Sequence, residues 1–214
     1  MKLLSGLYDP GAGRITVDGV DLRLLDRPAW QRRVAAIFQD FVQYPFSAYD
    51  NVAVGALGRA GDRDAVEAAA RRAGASDIVE RLSQGWSTVL DRQFTGGADV
   101  LGGEWQRLAL ARALFAVGGG AGVLVLDEPT ASLDVRAEAD LYDRFLELTA
   151  GVTTVVISHR FSTVRRADRI VVLEDGRVVE DGTHESLVEA GGRYAHMYAL
   201  QANRFATEEV TGDA

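Results

Sequence analysis

Short apolar runs recur along the chain, and the stretches between them carry apolar residues at helical spacing. Most runs are apolar throughout, which is typical of strands covered on both faces. They occupy residues 14–18, 34–38, 123–127, 153–158, 169–174 and 177–180. The stretches with helical spacing include residues 64–73, 104–115 and 135–148. Strands that alternate with helices of about 10–15 residues predict an α/β fold with a mostly parallel sheet.

Residues 48–90 contain no convincing strand, and glycines at positions 55, 58, 61 and 74 interrupt their helical pattern. Two or three short helices in this stretch predict a helical subdomain inserted into the α/β core. We therefore expect an α/β core over residues 1–46 and 117–206 and a helical subdomain over about 47–116. Residues 207–214 are polar and acidic, and we expect this tail to be frayed.

Turn and capping residues occur in the C-terminal part of the chain. The sequence Glu-Asp-Gly-Arg at 174–177 lies between two apolar runs and predicts a hairpin turn. Thr183 precedes a helical pattern with Glu185 in its first turn, which predicts a terminal helix with Thr183 as its N-cap.

Charge and composition exclude several classes of protein. The net charge is −8, and no basic block is available to displace counterions from phosphates, so no nucleic-acid partner is expected. The absence of cysteine excludes disulfides, thiolate metal sites and cysteine nucleophiles. No apolar stretch is long enough to span a bilayer, and the chain opens without a signal-peptide pattern.

Two adjacent acids follow the apolar run at 123–126. Asp127 and Glu128 would stand at the C-terminal end of a strand, where parallel sheets bind ligands. In nucleotide hydrolysis one such acid supports Mg²⁺ through its water shell, and the next polarises the attacking water. The alternative is an acidic turn that only caps the next helix. Pro129 and the Ser-Leu-Asp run ending at Asp134 argue against that alternative.

Together with five further segments in a fixed order, this strand resembles the ATPase domain of ATP-binding-cassette (ABC) transporters, of the exporter type. Each segment has a simpler reading alone, such as a polar strand end for Gln39, a structural histidine for His159 or a tight turn for Gly102-Gly103. The resemblance covers nearly the whole chain. Residues 38–40, with Gln39, resemble the Q-loop, residues 102–112 resemble the signature motif and its helix, and residues 123–128 resemble the Walker B strand. Residues 131–134, with Asp134, resemble the D-loop, residues 157–160, with His159, resemble the switch, and residues 169–185 resemble the C-terminal strands and helix.

The resemblance implies a P-loop-NTPase-like fold, with ATP and Mg²⁺ as cofactors, and a role for each matching residue. Glu128 would be the general base and His159 would contact the γ-phosphate. Asp127 and Gln39 would serve the magnesium ion, with Gln39 and Asp134 also at the nucleotide. Gly102, Gly103 and Glu104 would face a nucleotide held by a second ATPase domain in a head-to-tail dimer. The other implied partner is a transmembrane domain, which places the chain on the cytoplasmic face of the cell membrane.

Two features depart from the family pattern. The Walker A loop, its strand and the N-terminal strands are missing: Lys2 is the only lysine, and residues 2–10 resemble the last turns of the helix that normally follows this loop. Leu101 stands where the family usually carries a serine whose hydroxyl reaches the γ-phosphate.

Two explanations of the missing loop remain open. Met1 is an internal methionine of a longer, N-terminally truncated ATPase, or the chain is a degenerate remnant. The first makes the chain the ATP-hydrolysing component of an exporter. The second makes it a non-catalytic interaction subunit. The sequence therefore leaves open whether this chain alone is an ATP hydrolase.

Overall fold

The structure is a computed structural model that describes residues 1–38, 42–127, 149–158 and 160–211. The chain divides into two compact units, Met1–Ile157 and Ser158–Ala214. No helix within the described ranges is both long and apolar enough to cross a membrane.

A three-stranded parallel sheet lies at the centre of the first unit. Its strands are β3 (Val34–Ile37), β4 (Val123–Asp127) and β5 (Thr153–Ile157), in the order β3-β4-β5. The register pairs Ile37 with Leu126 and Asp127 with Ile157. The central strand is buried on both faces, because Leu124, Val125 and Leu126 are all fully buried and successive side chains of a strand point to opposite faces. The predicted α/β fold with a mostly parallel sheet is confirmed.

The N-terminal residues form turns and a small hairpin. The run predicted as a strand at 14–18 pairs over two residues only, as β1 (Thr16–Val17) with β2 (Val20–Asp21). Residues 2–7 make hydrogen-bonded turns rather than the regular helix end that the resemblance implied. The indole N–H of Trp30 donates to the Leu4 carbonyl (2.8 Å), which attaches these turns to α1 (Arg27–Gln31).

Helices fill most of the stretch between β3 and β4. They are α2 (Ala48–Ala53), α3 (Arg63–Arg72), α4 (Ser76–Arg81) and α5 (Gly102–Gly118). The same stretch contains 3₁₀ turns at Val54–Arg59 and Gly85–Ser87, and a further 3₁₀ turn at Leu22–Leu24 precedes β3. Side-chain oxygens of Ser47 and Asp62 accept N–H groups at the starts of α2 and α3, as N-caps do. The helix predicted at 135–148 lies outside the described residues.

Helix α5 is the main packing element of this helical region. Two aromatic rings and three leucines on it are buried against α2, α3 and β3: Trp105, Leu108, Leu110, Leu114 and Phe115. Burying a Leu or Phe side chain stabilises a fold by about 1.5–3 kcal/mol. The 17-residue helix therefore contributes much of the core that holds this region together.

The second unit is built on an antiparallel hairpin. Strands β6 (Ile170–Glu174) and β7 (Arg177–Gly182) form a separate two-stranded sheet. The predicted hairpin turn is confirmed, with positive φ at Asp175 (49°) and Gly176 (74°). The apolar run of β6 is not covered on both faces as predicted, because Val171 and Leu173 are exposed.

Short and long helices complete the second unit. They are α6 (Phe161–Val164), α7 (His184–Glu189) and α8 (Arg193–Thr211). Thr183 is the N-cap of α7, as predicted, and its hydroxyl accepts the Ser186 N–H (3.3 Å). Ile170, Val172, Leu187 and Tyr194 form the core of this unit.

Candidate functional site

The carboxyl ends of the three parallel strands carry the first group of predicted site residues. Asp127 is the last residue of β4 and is half-buried, while β3 and β5 end beside it at Ile37 and Ile157. Parallel strands end at the same edge of a sheet, which is where α/β folds bind ligands. The register therefore brings together the points from which the chain continues to Gln39, to Glu128 and to His159.

Four of the predicted site residues lie outside the described part of the chain. They are Gln39, Glu128, Asp134 and His159. Their assigned roles stay predictions. Gln39, Glu128 and His159 follow the strand ends by one or two residues, and Asp134 is placed by its resemblance to the D-loop.

The described residues include one predicted magnesium ligand, Asp127 at the end of β4. Within the described ranges no cluster of three or more His, Cys, Asp or Glu side chains exists that could hold a metal ion. Mg²⁺ is usually held through one or two carboxylates, with water and substrate phosphates completing the shell. The carboxylate of Asp127 fits that chemistry, and the other predicted ligand, Gln39, lies outside the described residues.

The start of α5 carries the second group of predicted residues. Gly102 and Gly103 are the first two residues of the helix, so their N–H groups have no intrahelical acceptor. Such groups, together with the helix dipole, favour an anion. No hydrogen bond or ion pair between described members joins this group to Asp127.

The side chain of Glu104 caps the start of α5. Its carboxylate accepts the Leu101 N–H (3.0 Å) and forms an ion pair with Arg81 of α4. Burial raises the pKa of Glu104, but the hydrogen bonds from Arg81 and Leu101 outweigh it and hold the pKa below its usual value. A leucine has no side-chain acceptor, so Leu101 cannot return a bond to the helix and only half of a capping box forms.

A second ion pair joins α4 and α5 one turn further along. The Arg107 guanidinium donates to the Asp77 carboxylate (2.9 Å) and to the Gly74 carbonyl (2.7 Å). Neither Arg81 nor Asp77 was predicted as a site residue. Asp77 and Arg81 are opposite charges four residues apart in the stretch 76–81. This spacing predicts salt bridges on a helix surface, but it does not identify the residues on the other helix that pair with them.

Leu101 is 73% exposed at the start of α5. Leu101, which departs from the family pattern, therefore exposes an apolar side chain beside the free N–H groups of Gly102 and Gly103. A hydroxyl at this position could donate to a phosphate, whereas leucine offers only apolar surface.

We expect Glu104→Gln to lower the free energy of unfolding by about 1 kcal/mol at neutral pH, because it removes the charge that pairs with Arg81. The folded-state pKa of Glu104 lies below the ordinary value of 4.5, so acidification protonates the unfolded chain first. The stability from the carboxylate is thus present above pH 4.5 and is lost as the pH falls through the folded-state pKa.

Urea unfolding of parent and variant at several pH values measures this effect. The stability difference should narrow below pH 4.5. As a control, Glu67→Gln breaks the exposed pair with Arg63 and should cost less than about 0.5 kcal/mol. A difference that stays constant on acidification would contradict the pairing of Glu104.

Comparisons with known proteins show which family the chain resembles. The sequence profile of the ABC transporter family matches residues 1–131. An ATP-dependent lipid A-core flippase of Methylococcus capsulatus is 41% identical over 201 residues, and a mitochondrial potassium channel ATP-binding subunit of Pongo abelii is 43% identical over 203. Each alignment covers 94% of this chain but only 32% and 27% of the relative.

A solved structure shares the fold. A bacterial Atm1-family ABC exporter with ATP bound superimposes with a TM-score of 0.83 at 36% identity, over 94% of this chain and 34% of that one. The chain thus spans about a third of the length of the flippase and the exporter that it matches. The profile match over more than half of its residues and the shared fold show that the chain belongs to the ABC transporter family.

Proposed function

We propose that this chain is the ATP-binding component of an exporter-like ABC transporter and couples ATP hydrolysis to transport across a membrane. The observation that carries the proposal is the convergence of three parallel strand ends at Asp127, each continuing into a residue expected at an ATPase site. The named relatives are an ATP-dependent flippase and an exporter with ATP bound, which supports the same reading.

Each residue would act according to its place in the sequence. Asp127 and Gln39 would hold Mg²⁺, which supplies charge stabilisation for the transferred phosphoryl group. Glu128 would take the proton of the attacking water, and His159 would donate to the γ-phosphate. Asp134 would lie at the nucleotide in the D-loop.

The start of α5 would serve a different nucleotide. Gly102 and Gly103 would donate backbone N–H groups to the phosphates held by a second ATPase domain, with Glu104 fixing the helix start. A transmembrane domain would be the other partner, on the cytoplasmic face of the membrane. The division into an α/β core (1–46, 117–206), a helical subdomain (about 47–116) and a terminal tail (207–214) is part of this proposal, although α8 extends into that tail as far as Thr211. A non-catalytic interaction subunit is not favoured.

Magnesium-dependent nucleotide binding tests the proposal. The chain, in the longest form that its gene encodes, should bind a fluorescent ATP analogue more tightly with Mg²⁺ than with EDTA. Asp127→Asn should weaken Mg²⁺–ATP binding about tenfold or more and remove most of the magnesium dependence. Asp175→Asn is the matched control, because it changes the same atoms in the β6–β7 turn and should bind like the parent. If the parent binds the ATP analogue equally well with and without Mg²⁺, the proposal is wrong.

A further inference from the structure

The short helix that follows β5 is held by an aromatic cluster from the end of the chain. The ring of Phe161, the first residue of α6, lies 5.1 Å from that of Tyr194 and 5.5 Å from that of Tyr198. The interplanar angles of 67° and 71° are edge-to-face, the arrangement that aromatic pairs prefer. Both tyrosines lie in α8, more than thirty residues later in the sequence.

The backbone of α6 is held by the same helix. The first N–H groups of a helix need an acceptor, and the N-cap of α6, Arg160, makes no side-chain cap to it. Instead the Phe161 N–H donates to the side-chain oxygen of Gln201 (2.9 Å), which lies 40 residues away. A side chain of α8 therefore caps the first N–H group of α6.

Helix α8 is in turn attached to the rest of the second unit. The carboxylate of Glu180 in β7 accepts the Tyr194 N–H (2.8 Å) at the start of α8. The hydroxyl of Tyr194 and Nδ1 of His184 in α7 are 2.8 Å apart, and the ring of Tyr198 packs edge-on against His184. Tyr194 is almost fully buried, and this burial raises the pKa of its hydroxyl. The support behind Phe161 is thus built from three separate elements.

The anchored residue lies two positions after the proposed switch. Phe161 follows His159 by two residues, so a fixed N–H and a fixed ring at 161 restrict the path of the chain leaving the switch. A histidine that donates to a developing charge must be held within a fraction of an ångström of its productive position.

We propose that α8 positions the switch segment through Gln201, Tyr194 and Tyr198, which makes these three side chains positioning residues for ATP hydrolysis. The inference rests on the proposed role of His159. Gln201 is the most direct of the three, because its side chain bonds the backbone of the segment itself.

A purely structural role for the cluster predicts a different pattern of effects. If the aromatic rings only form the core of the second unit, removing the Gln201 oxygen should leave turnover unchanged. If α8 positions the switch, the same change should slow turnover although the fold is intact.

Three variants separate these outcomes in the chain expressed in the longest form that its gene encodes. Gln201→Leu removes the acceptor at similar size, and Gln201→Glu keeps an acceptor oxygen. Leu200→Ala changes the neighbouring exposed residue of α8 and is the matched control. Amide hydrogen exchange at Phe161 reports the contact, and kcat and KM for ATP report the positioning.

In Gln201→Leu we expect the Phe161 amide to exchange about tenfold faster, as follows from the loss of one hydrogen bond. We expect kcat to fall about tenfold with KM within about twofold, as for an interaction made mainly in the transition state. Gln201→Glu should recover most of both effects, and Leu200→Ala should match the parent.

Unchanged exchange in Gln201→Leu would show that the contact is absent in solution and would overturn the proposal. Faster exchange with unchanged kcat would also overturn it, because the contact would then be structural only. A parent protein without any turnover would refute the proposed function, and the positioning role with it. In that case the exchange result would still decide whether α8 caps α6.

Discussion

Arg112→Met is expected to lower the free energy of unfolding by about 3 kcal/mol, the largest stability effect that we foresee for a single side chain here. Arg112 lies in the middle of α5 and is mostly buried, and burial lowers the pKa of its guanidinium. Its Nε donates to the Asn51 carbonyl (2.8 Å) and one Nη to the Asn51 side-chain oxygen (3.2 Å). The guanidinium also stacks over the ring of Tyr44 at 4.7 Å.

The cost of the substitution comes from the groups left behind. Asn51 is fully buried, and its amide donates to the carbonyls of Tyr44 (3.0 Å) and Ser47 (3.1 Å). Methionine would keep most of the apolar stem but would leave the Asn51 oxygens without these donors. A buried polar group without a partner costs about 1–3 kcal/mol.

Urea unfolding measures the effect, with two further variants for comparison. Arg112→Lys keeps the charge but not the planar fork, so it should recover less than half of the lost stability. Arg63→Met removes an exposed helical pair with Glu67 and should change stability by less than about 0.5 kcal/mol. Equal effects at positions 112 and 63 would show that the buried network does not stabilise the fold.

Glu128→Gln is expected to reduce kcat for ATP hydrolysis by about 10²–10⁴-fold, the usual contribution of a general base. The reason is chemical: glutamine keeps the shape of glutamate but cannot accept the proton of the attacking water. Binding of Mg²⁺–ATP should persist, because Asp127 and the phosphate contacts are unchanged. We therefore expect the variant to accumulate in an ATP-bound, dimeric form.

Single-turnover kinetics and size-exclusion chromatography with ATP check both parts of this prediction. Glu189→Gln, an exposed residue at the end of α7, is the matched control and should hydrolyse ATP like the parent. If Glu128→Gln hydrolyses ATP like the parent, Glu128 is not the general base, and a neighbouring residue must take that role.

Strand β4 was predicted with its observed limits because all the information needed was local. Four apolar residues ending at Asp127 can only be a short buried strand or a helix segment, and the turn residues that follow favour the strand. The hairpin turn at Asp175-Gly176 was also readable, since positive φ is easiest for these residue types.

The strand predicted at 14–18 shows what a local pattern omits. A strand needs a neighbour, and in the described residues β1 pairs only with the two residues of β2. The start of α5 was missed by two residues for a related reason. Its N-cap, Leu101, carries no capping oxygen, and the stabilising contact comes from Arg81 through Glu104.

The sequence by itself determined the family, the α/β pattern and the order of the candidate ATPase residues, because strand periodicity and motif spacing are properties of neighbouring positions. Only the tertiary structure decided that Arg112 binds Asn51, that Arg81 holds Glu104 and that Gln201 caps α6. These partners lie 61, 23 and 40 residues apart. No local pattern specifies such pairs, because each bond forms only after packing has brought two distant segments together.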